Sequence, residues 1–396
     1  TRALGQKKWT FLVYMNAAND LERFGSLNMN QMEQIGSTSD VNIVLQYKRM
    51  NFPDPSYDDT SNGDWTNTRR YYVTRDSDSS RITSPLISQS DSIDMGRAQT
   101  LQEFVRWGVA AYPAEKYCLV IWNHGAGWRS RAKDSSPITR GVSYDDATGS
   151  HIDTIELPGA INLGEGRKWD ILAFDSSLMQ MVEVAYEIRD QASYIVGSEE
   201  SPPGSGYRYE RLMANLAGNP VQSPRTFASF IANDTLAAYG SGTNITQSVL
   251  EASQVGALAP ALNQLGASLS AAQPAWGTQI ANARIQAESY DYVQNRDLTD
   301  FLDKLAPAGG TLVVNDAGVL ASIQGVRNAL GAAIITNANG TQHPRSRGLA
   351  IFIPSPSQYA SIQRQQVEEG FGQPYSALAF SQAAPNWRNF LQTGPP

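Results

Sequence analysis

A single cysteine in 396 residues removes two classes of protein at once. Cys118 has no partner for an internal disulfide framework, and one thiol cannot build a cysteine-based zinc site. Positive charge is also short: 31 Lys and Arg stand against 38 Asp and Glu, a net charge of −7. Nucleic-acid binding is not expected, because phosphate contacts need a basic surface that survives salt. No apolar run approaches the ~20 residues that cross a bilayer as a helix, so no membrane span is expected. Gly-x-Ser-x-Gly, His-Glu-x-x-His and Walker A patterns are all missing. Histidine is scarce, with only His124, His151 and His343.

What is present is an alternation of short apolar runs and amphipathic stretches. Strands are predicted over 9–15, 41–47, 117–122, 170–174 and 193–196, with helices over 21–35, 96–109, 154–163 and 178–189. Strands alternating with helices predict an α/β fold with a central, mostly parallel sheet. The polar segment 51–94 reads as an insertion with a small hairpin at 69–73, and 129–150 as a long exposed loop. Beyond residue 240 the texture changes. Helices are predicted over 245–256, 257–272, 292–305 and 317–333, and a strand over 347–353 stopped by Pro354. The expected division is a core over 1–240 and a mixed, helical C-terminal half over 241–396 that packs on the core or continues it.

Two apolar runs end in chemistry. Cys118-Leu119-Val120-Ile121-Trp122 leads into Asn123-His124-Gly125, and Ile171-Leu172-Ala173-Phe174 leads into Asp175-Ser176-Ser177. Parallel sheets build sites at the C-terminal ends of their strands. Cys118 is six residues from His124 on an extended run, roughly 20 Å, too far for a nucleophile and its base. It reads as a buried small hydrophobe. Ser177 opens the apolar spacing Leu178, Met181, Val182, Ala185, Ile188, which predicts a helix whose first N–H groups face the hydroxyl. The plain alternative is that Ser177 is an N-cap. His151 and His343 lie in polar, turn-like segments and read as solvated loop histidines. Adjacent Asp145 and Asp146 are the one candidate for calcium, but they lack the spacing of a calcium loop. No other cofactor or metal is expected.

Several motifs together resemble the clostripain-like cysteine peptidases, relatives of caspases, gingipains and legumain. Trp9-Thr10-Phe11-Leu12-Val13-Tyr14-Met15-Asn16-Ala17 with Asn19-Asp20-Leu21-Glu22 looks like that family's first strand and loop. Asn123-His124-Gly125-Ala126-Gly127-Trp128 is similar to its histidine motif, and Phe174-Asp175-Ser176-Ser177-Leu178-Met179 to its nucleophile motif with serine for cysteine. Ser198-Glu199-Glu200-Ser201 with Pro203-Gly204-Ser205-Gly206-Tyr207 resembles the cleft-lining segment, and Arg347-Gly348-Leu349-Ala350-Ile351-Phe352-Ile353-Pro354 a late strand.

The resemblance implies a caspase/gingipain-like three-layer sandwich and a peptidase cutting after Arg or Lys. His124 would be the general base or leaving-group acid, Gly125 an oxyanion donor, and Ser177 the occupant of the nucleophile position. Asp175 would recognise the basic side chain, with Glu199 and Glu200 adding negative charge. Asn16 would orient the imidazole at the edge of the substrate site. Self-cleavage, a habit of the family, is expected in the loop between the two motifs, at Lys133 or Arg140. Serine at 177 then reads as a cysteine replaced to prevent that cleavage, leaving an inactive or nearly inactive form. The rivals are a natural pseudopeptidase that binds basic peptides uncut, and a working serine variant. Peptides or proteins with basic residues are the expected partners. Abundant Ser, Asn, Gln and Thr, with no initiator Met at Thr1, suit an exported bacterial protein (secreted, periplasmic or cell-surface) whose leader is absent.

Overall fold

The computed structural model describes residues 6–52, 54–129, 131–133, 136–139, 141–368 and 372–396. Among them, nine strands form one sheet: β1 (Lys7–Ala17), β2 (Val41–Arg49), β3 (Thr68–Tyr72), β4 (Leu86–Ser90), β5 (Ala114–Trp122), β6 (Trp169–Asp175), β7 (Ala192–Ser198), β8 (Thr246–Glu251) and β9 (Ile334–Asn339). The spatial order is β9-β8-β7-β6-β5-β1-β2-β3-β4. The five central strands are parallel, and an antiparallel pair closes each side. Central strands covered on both faces favour near-continuous apolar runs, which made most of them legible, although buried Thr10, Asn42, Gln46 and Lys48 interrupt β1 and β2.

Side chains alternate between two cores. Leu12, Tyr14, Leu119, Ile121, Leu172 and Phe174 face a layer that includes helices Ala98–Ala111, Val182–Ile188, Leu258–Gln286 and Ala317–Ala333. Phe11, Val13, Met15, Val120, Trp122 and Ala173 face helices Glu22–Glu33, Tyr209–Gly218 and Pro224–Tyr239. The result is three layers, helix–sheet–helix. β8 and β9 lie beyond residue 240 yet complete the same sheet. A two-stranded pair, Asn295–Asp297 with Ala350–Phe352, docks beside it.

Several local expectations are corrected. Residues 245–256 are not one helix: they form β8 and then one helical turn, Ala252–Val255. β8 is held by antiparallel pairing to β7 and β9, a tertiary contact that overrides local preference. The helix expected from Leu178 starts only at Val182. Strand Asn295–Asp297 precedes a helix that begins at Leu298, within the span read as all helix. Finally, 129–150 is not an open loop. It holds the pairs Arg131–Lys133 with Ser136–Thr139 and Val142–Asp145 with Ser150–Ile152, and Val142–Asp145 is buried.

Candidate active site at the strand ends

The sheet register brings the chemistry together. Met15 of β1 and Asp175 of β6 both lie level with Trp122 of β5, so all three strands end at one edge. Just beyond this level the chain carries Asn16 and Ala17 at the tip of β1, then Ala18–Asp20, with Asn123–Gly125 and Ser176–Ser177 after β5 and β6. Residues Trp122, Asn123, His124, Asp175, Ser176 and Ser177 line one cavity of about 280 Å³, with Ser201–Gly204, Gly206, Leu21 and Asp291 as the other walls.

Asn123 anchors the histidine turn. Its Oδ1 accepts from the Tyr144 N–H at 2.9 Å, and its Nδ2 donates to the Tyr144 and Asn16 carbonyls. The buried strand Val142–Asp145 thus braces the site and is not a bystander. His124 is partly exposed. Its Nε2 meets Asp20 Oδ1 at 2.5 Å, and the Tyr144 ring stands edge-on at 6.2 Å. Asp146 is close to the imidazole. Its carboxyl is pushed up to about 6 by burial, with Asp20 and Asp145 adding to the rise and His124 opposing it.

Gly125 is required by close approach. A Cβ there would sit 2.3 Å from the Ser177 carbonyl oxygen, so the two motif loops touch backbone to backbone. Ser177 is partly exposed and belongs to a loop. Leu178, next in sequence, has φ of 63°, a conformation that L-residues avoid, and Met181 is the residue that precedes the helix. Ser177 is therefore neither an N-cap nor positioned at a helix N-terminus. The loop is fixed instead by Leu178 N–H to the Glu200 carbonyl, Gln180 N–H to the Ser198 carbonyl, and Ala350 N–H to the Gln180 carbonyl.

Asp175 lies at the base of the cavity, 6% exposed. Its Oδ2 accepts from the Tyr207 N–H at 3.1 Å and the Tyr209 hydroxyl at 2.9 Å. Burial pushes its carboxyl up to about 6, with those two donors pulling the other way. It does not cap a helix. Gly206, at φ of 64°, passes so near that a Cβ would lie 2.5 Å from the carboxylate.

Other expected residues lie elsewhere. Asn16 is buried and donates to Ser143 Oγ, while Asp20 takes the contact with the imidazole assigned to it. Glu199 is buried away from the cavity beside Asp297; burial and that neighbouring acid raise its carboxyl well above the usual range. Its Oε2 accepts the Gly348 N–H, and Asp297 accepts those of Asp300 and Arg347. Glu200 pairs with His343 behind the cavity wall. Asp145 is a buried partner of Lys48 at 2.6 Å, and the same Oδ2 accepts the Met95 N–H. Among the described residues no cluster of His, Cys, Asp and Glu could hold a metal. Cys118 is fully buried within β5, and burial raises its thiol well above the ordinary value. Lys133 ends the strand Arg131–Lys133, and Arg140 lies outside the described residues.

Sequence reasoning gave Asp20 no role of its own, read Asp146 only as a calcium candidate beside Asp145, and missed Asp291. Asp20 had a signal, since it follows the end of a parallel strand. Asp291 had none: it reaches the cavity from the C-terminal half through tertiary packing alone.

A three-layer sandwich with a parallel centre and its candidate site across neighbouring strand ends has the caspase-like fold. The chain belongs to the clostripain family, whose sequence model matches residues 13–393. Clostripain of Hathewaya histolytica is 28% identical over 274 residues, 64% of this chain and 49% of that protein. The chain thus spans about half the length of this curated relative. A secreted C11 cysteine protease from Bacteroides thetaiotaomicron, solved with an irreversible peptide inhibitor, superposes with a TM-score of 0.65 at 19% identity, covering 96% of this chain and 99% of that one. An inactive zymogen C11 protease from Parabacteroides distasonis gives 0.67 at 17% identity, covering 97% and 99%. At these identities the structures establish the fold. No described helix is long and apolar enough to cross a membrane.

Proposed function

We propose that this site is that of an endopeptidase acting after Arg or Lys, silenced at its nucleophile position by Ser177. The observation that carries the reading is the cavity itself, which has a buried carboxylate at its base and His124 and Ser177 on its walls. A guanidinium or ammonium entering the cavity meets Asp175, a pairing that is strongest when water is excluded. The scissile carbonyl would then lie near Ser177. His124, oriented by Asp20, moves the proton, and the Gly125 N–H faces the developing oxyanion.

Serine disables this arrangement for a physical reason. A thiol ionises near neutral pH and a hydroxyl does not, and the loop at Ser177 supplies no helix N-terminus to assist. The expected cost in turnover is roughly 10³–10⁶-fold. Basic peptides would bind and stay uncut, and the chain would stay whole at Lys133 and Arg140, the proposed self-cleavage positions. Export from a bacterial cell suits a peptidase of this kind and belongs to the same proposal.

The test is Ser177→Cys, assayed on Arg- and Lys-ending peptide substrates and for self-cleavage. Gain of both activities is expected. If neither appears while the serine form binds basic peptides, the chain is a pseudopeptidase. Strong turnover by the serine form would instead support a serine hydrolase.

A further inference from the structure

We propose that His343 is a positioning residue for the cleft: its imidazolium joins Glu200 to Glu288 and so fixes the rim formed by Ser201 and Asp291. This rests on the peptide-binding reading of the cavity given above, and it assigns a role to a histidine that touches no reacting atom.

The geometry is specific. His343 Nε2 is 3.2 Å from Glu200 Oε2, and Nδ1 is 3.3 Å from Glu288 Oε1. A neutral imidazole carries one N–H and can donate to only one of these carboxylates; the imidazolium donates to both. The site is largely closed to water, with His343 at 15%, Glu200 at 8% and Glu288 at 10% side-chain exposure. Hydrogen bonding to Glu200 raises the histidine above its ordinary value, burial opposes this, and the charges of Glu200 and Glu288 add to the rise.

The two carboxylates are not equally supported. Glu288 also accepts the Arg345 N–H at 3.1 Å, and the Arg345 guanidinium stands 3.6 Å away while bridging to Asp300. Asp300 is in turn 3.6 Å from Lys304. Glu200 has His343 and two backbone donors: its Oε1 accepts the N–H groups of Ser201 at 2.6 Å and Asp291 at 3.2 Å. Those two residues line the candidate cleft, where Ser201 Oγ donates to Asp291 Oδ2 at 2.5 Å. The Tyr290 ring packs 5.4 Å from the imidazole, and its hydroxyl bonds Ser346 with Glu199 and Asp297 behind it. Loss of the His343 proton therefore leaves Glu200 as the less compensated anion, and strain falls on the rim it holds.

The rim connects segments far apart in sequence: the chain after β7 and the turn after helix Leu258–Gln286. A pH-dependent tie between them would set how well the cleft grips a basic peptide. Asp175 and Asp146 titrate on the acid side, near about 6, so the histidine is read by working above neutral pH.

The experiment is affinity for an Arg-ending peptide, measured by fluorescence anisotropy on the Ser177 protein from about pH 7 to about pH 9. The unaltered protein should lose about five- to tenfold in affinity over that range. His343→Gln should be weak and flat with pH, and His343→Lys, which keeps the charge, should be tight and flat. Hydrogen exchange gives a readout without peptide: the Ser201 and Asp291 amides should exchange faster in His343→Gln at pH 7 and converge with the unaltered protein at pH 9. If His343→Gln follows the unaltered protein at every pH in both measurements, the positioning role is overturned and the cleft reading stands. If none of the three proteins binds the peptide at any pH, the cleft reading falls and this proposal with it.

Discussion

Asp175→Asn tests the pocket assignment, and the structure sets two opposite effects for it. The carboxylate is buried and its folded value is raised from 3.8 to about 6, so folding prefers the protonated acid. The sign follows from linkage: this preference is fully present below the unfolded value and is lost as pH rises through about 6. Above that range, the unoccupied cavity holds a desolvated anion at a cost on the order of 3 kcal/mol. Asparagine carries no charge, and its Oδ1 can still accept from Tyr207 N–H and Tyr209 hydroxyl. Thermal unfolding at pH 8 should therefore show Asp175→Asn to be the more stable protein, with the advantage shrinking towards pH 4. Binding should move the other way. Removing one partner of a buried charge pair costs about 2–5 kcal/mol, or roughly 30- to several-thousand-fold in affinity. Titration calorimetry of the Ser177 protein with an Arg-ending peptide reads this directly, and its affinity should climb as pH passes about 6. An Asp175→Asn protein that binds the peptide within twofold of the unaltered one at pH 8 would refute the pocket assignment.

Two further predictions concern the histidine turn. Gly125→Ala places a Cβ 2.3 Å from the Ser177 carbonyl, so the motif loops must separate; about 1–3 kcal/mol of stability should be lost in chemical denaturation. In the Ser177→Cys background, Asp20→Asn should lower kcat by at least about tenfold while peptide affinity changes little, because Asp20 contacts the proposed base, His124, and does not line the cavity. Equal losses in kcat and affinity would instead mean that Asp20 shapes the cleft.

Much of the fold was legible because the central strands are covered on both faces. Runs such as Phe11–Met15 and Leu119–Trp122 are apolar throughout, and their shortness with β-branched and aromatic residues separates them from buried helix segments. Strand β8 was not legible. Thr246-Gln247-Ser248-Val249-Leu250 mixes polar and apolar residues, all buried, and its extended form comes from pairing with β7 and β9. The same limit explains the site. His124, Gly125, Asp175 and Ser177, candidates from strand ends and the family resemblance, line or adjoin one cavity, whereas Asp291 arrives there by packing that no local pattern encodes. Glu199 and Glu200 follow a strand end too, yet one turns inward to Asp297 and the other to His343.

The misread helix at Leu178 bears most directly on Ser177. Leu178, Met181, Val182, Ala185 and Ile188 have helical spacing, but the first two are buried for another reason. Leu178 is held at positive φ, and the loop through Gln180 and Met181 is covered by the strand Ala350–Phe352. The proposed nucleophile position therefore rests on a stapled loop, with no macrodipole behind it. Had Ser177 headed a helix, part of a thiolate's stabilisation would have come from the backbone and would remain for any substituent. On a loop, activation has to come from the side chain's own acidity and from His124. That makes one atom decisive, and it is why Ser177→Cys is expected to restore turnover while peptide affinity stays nearly constant.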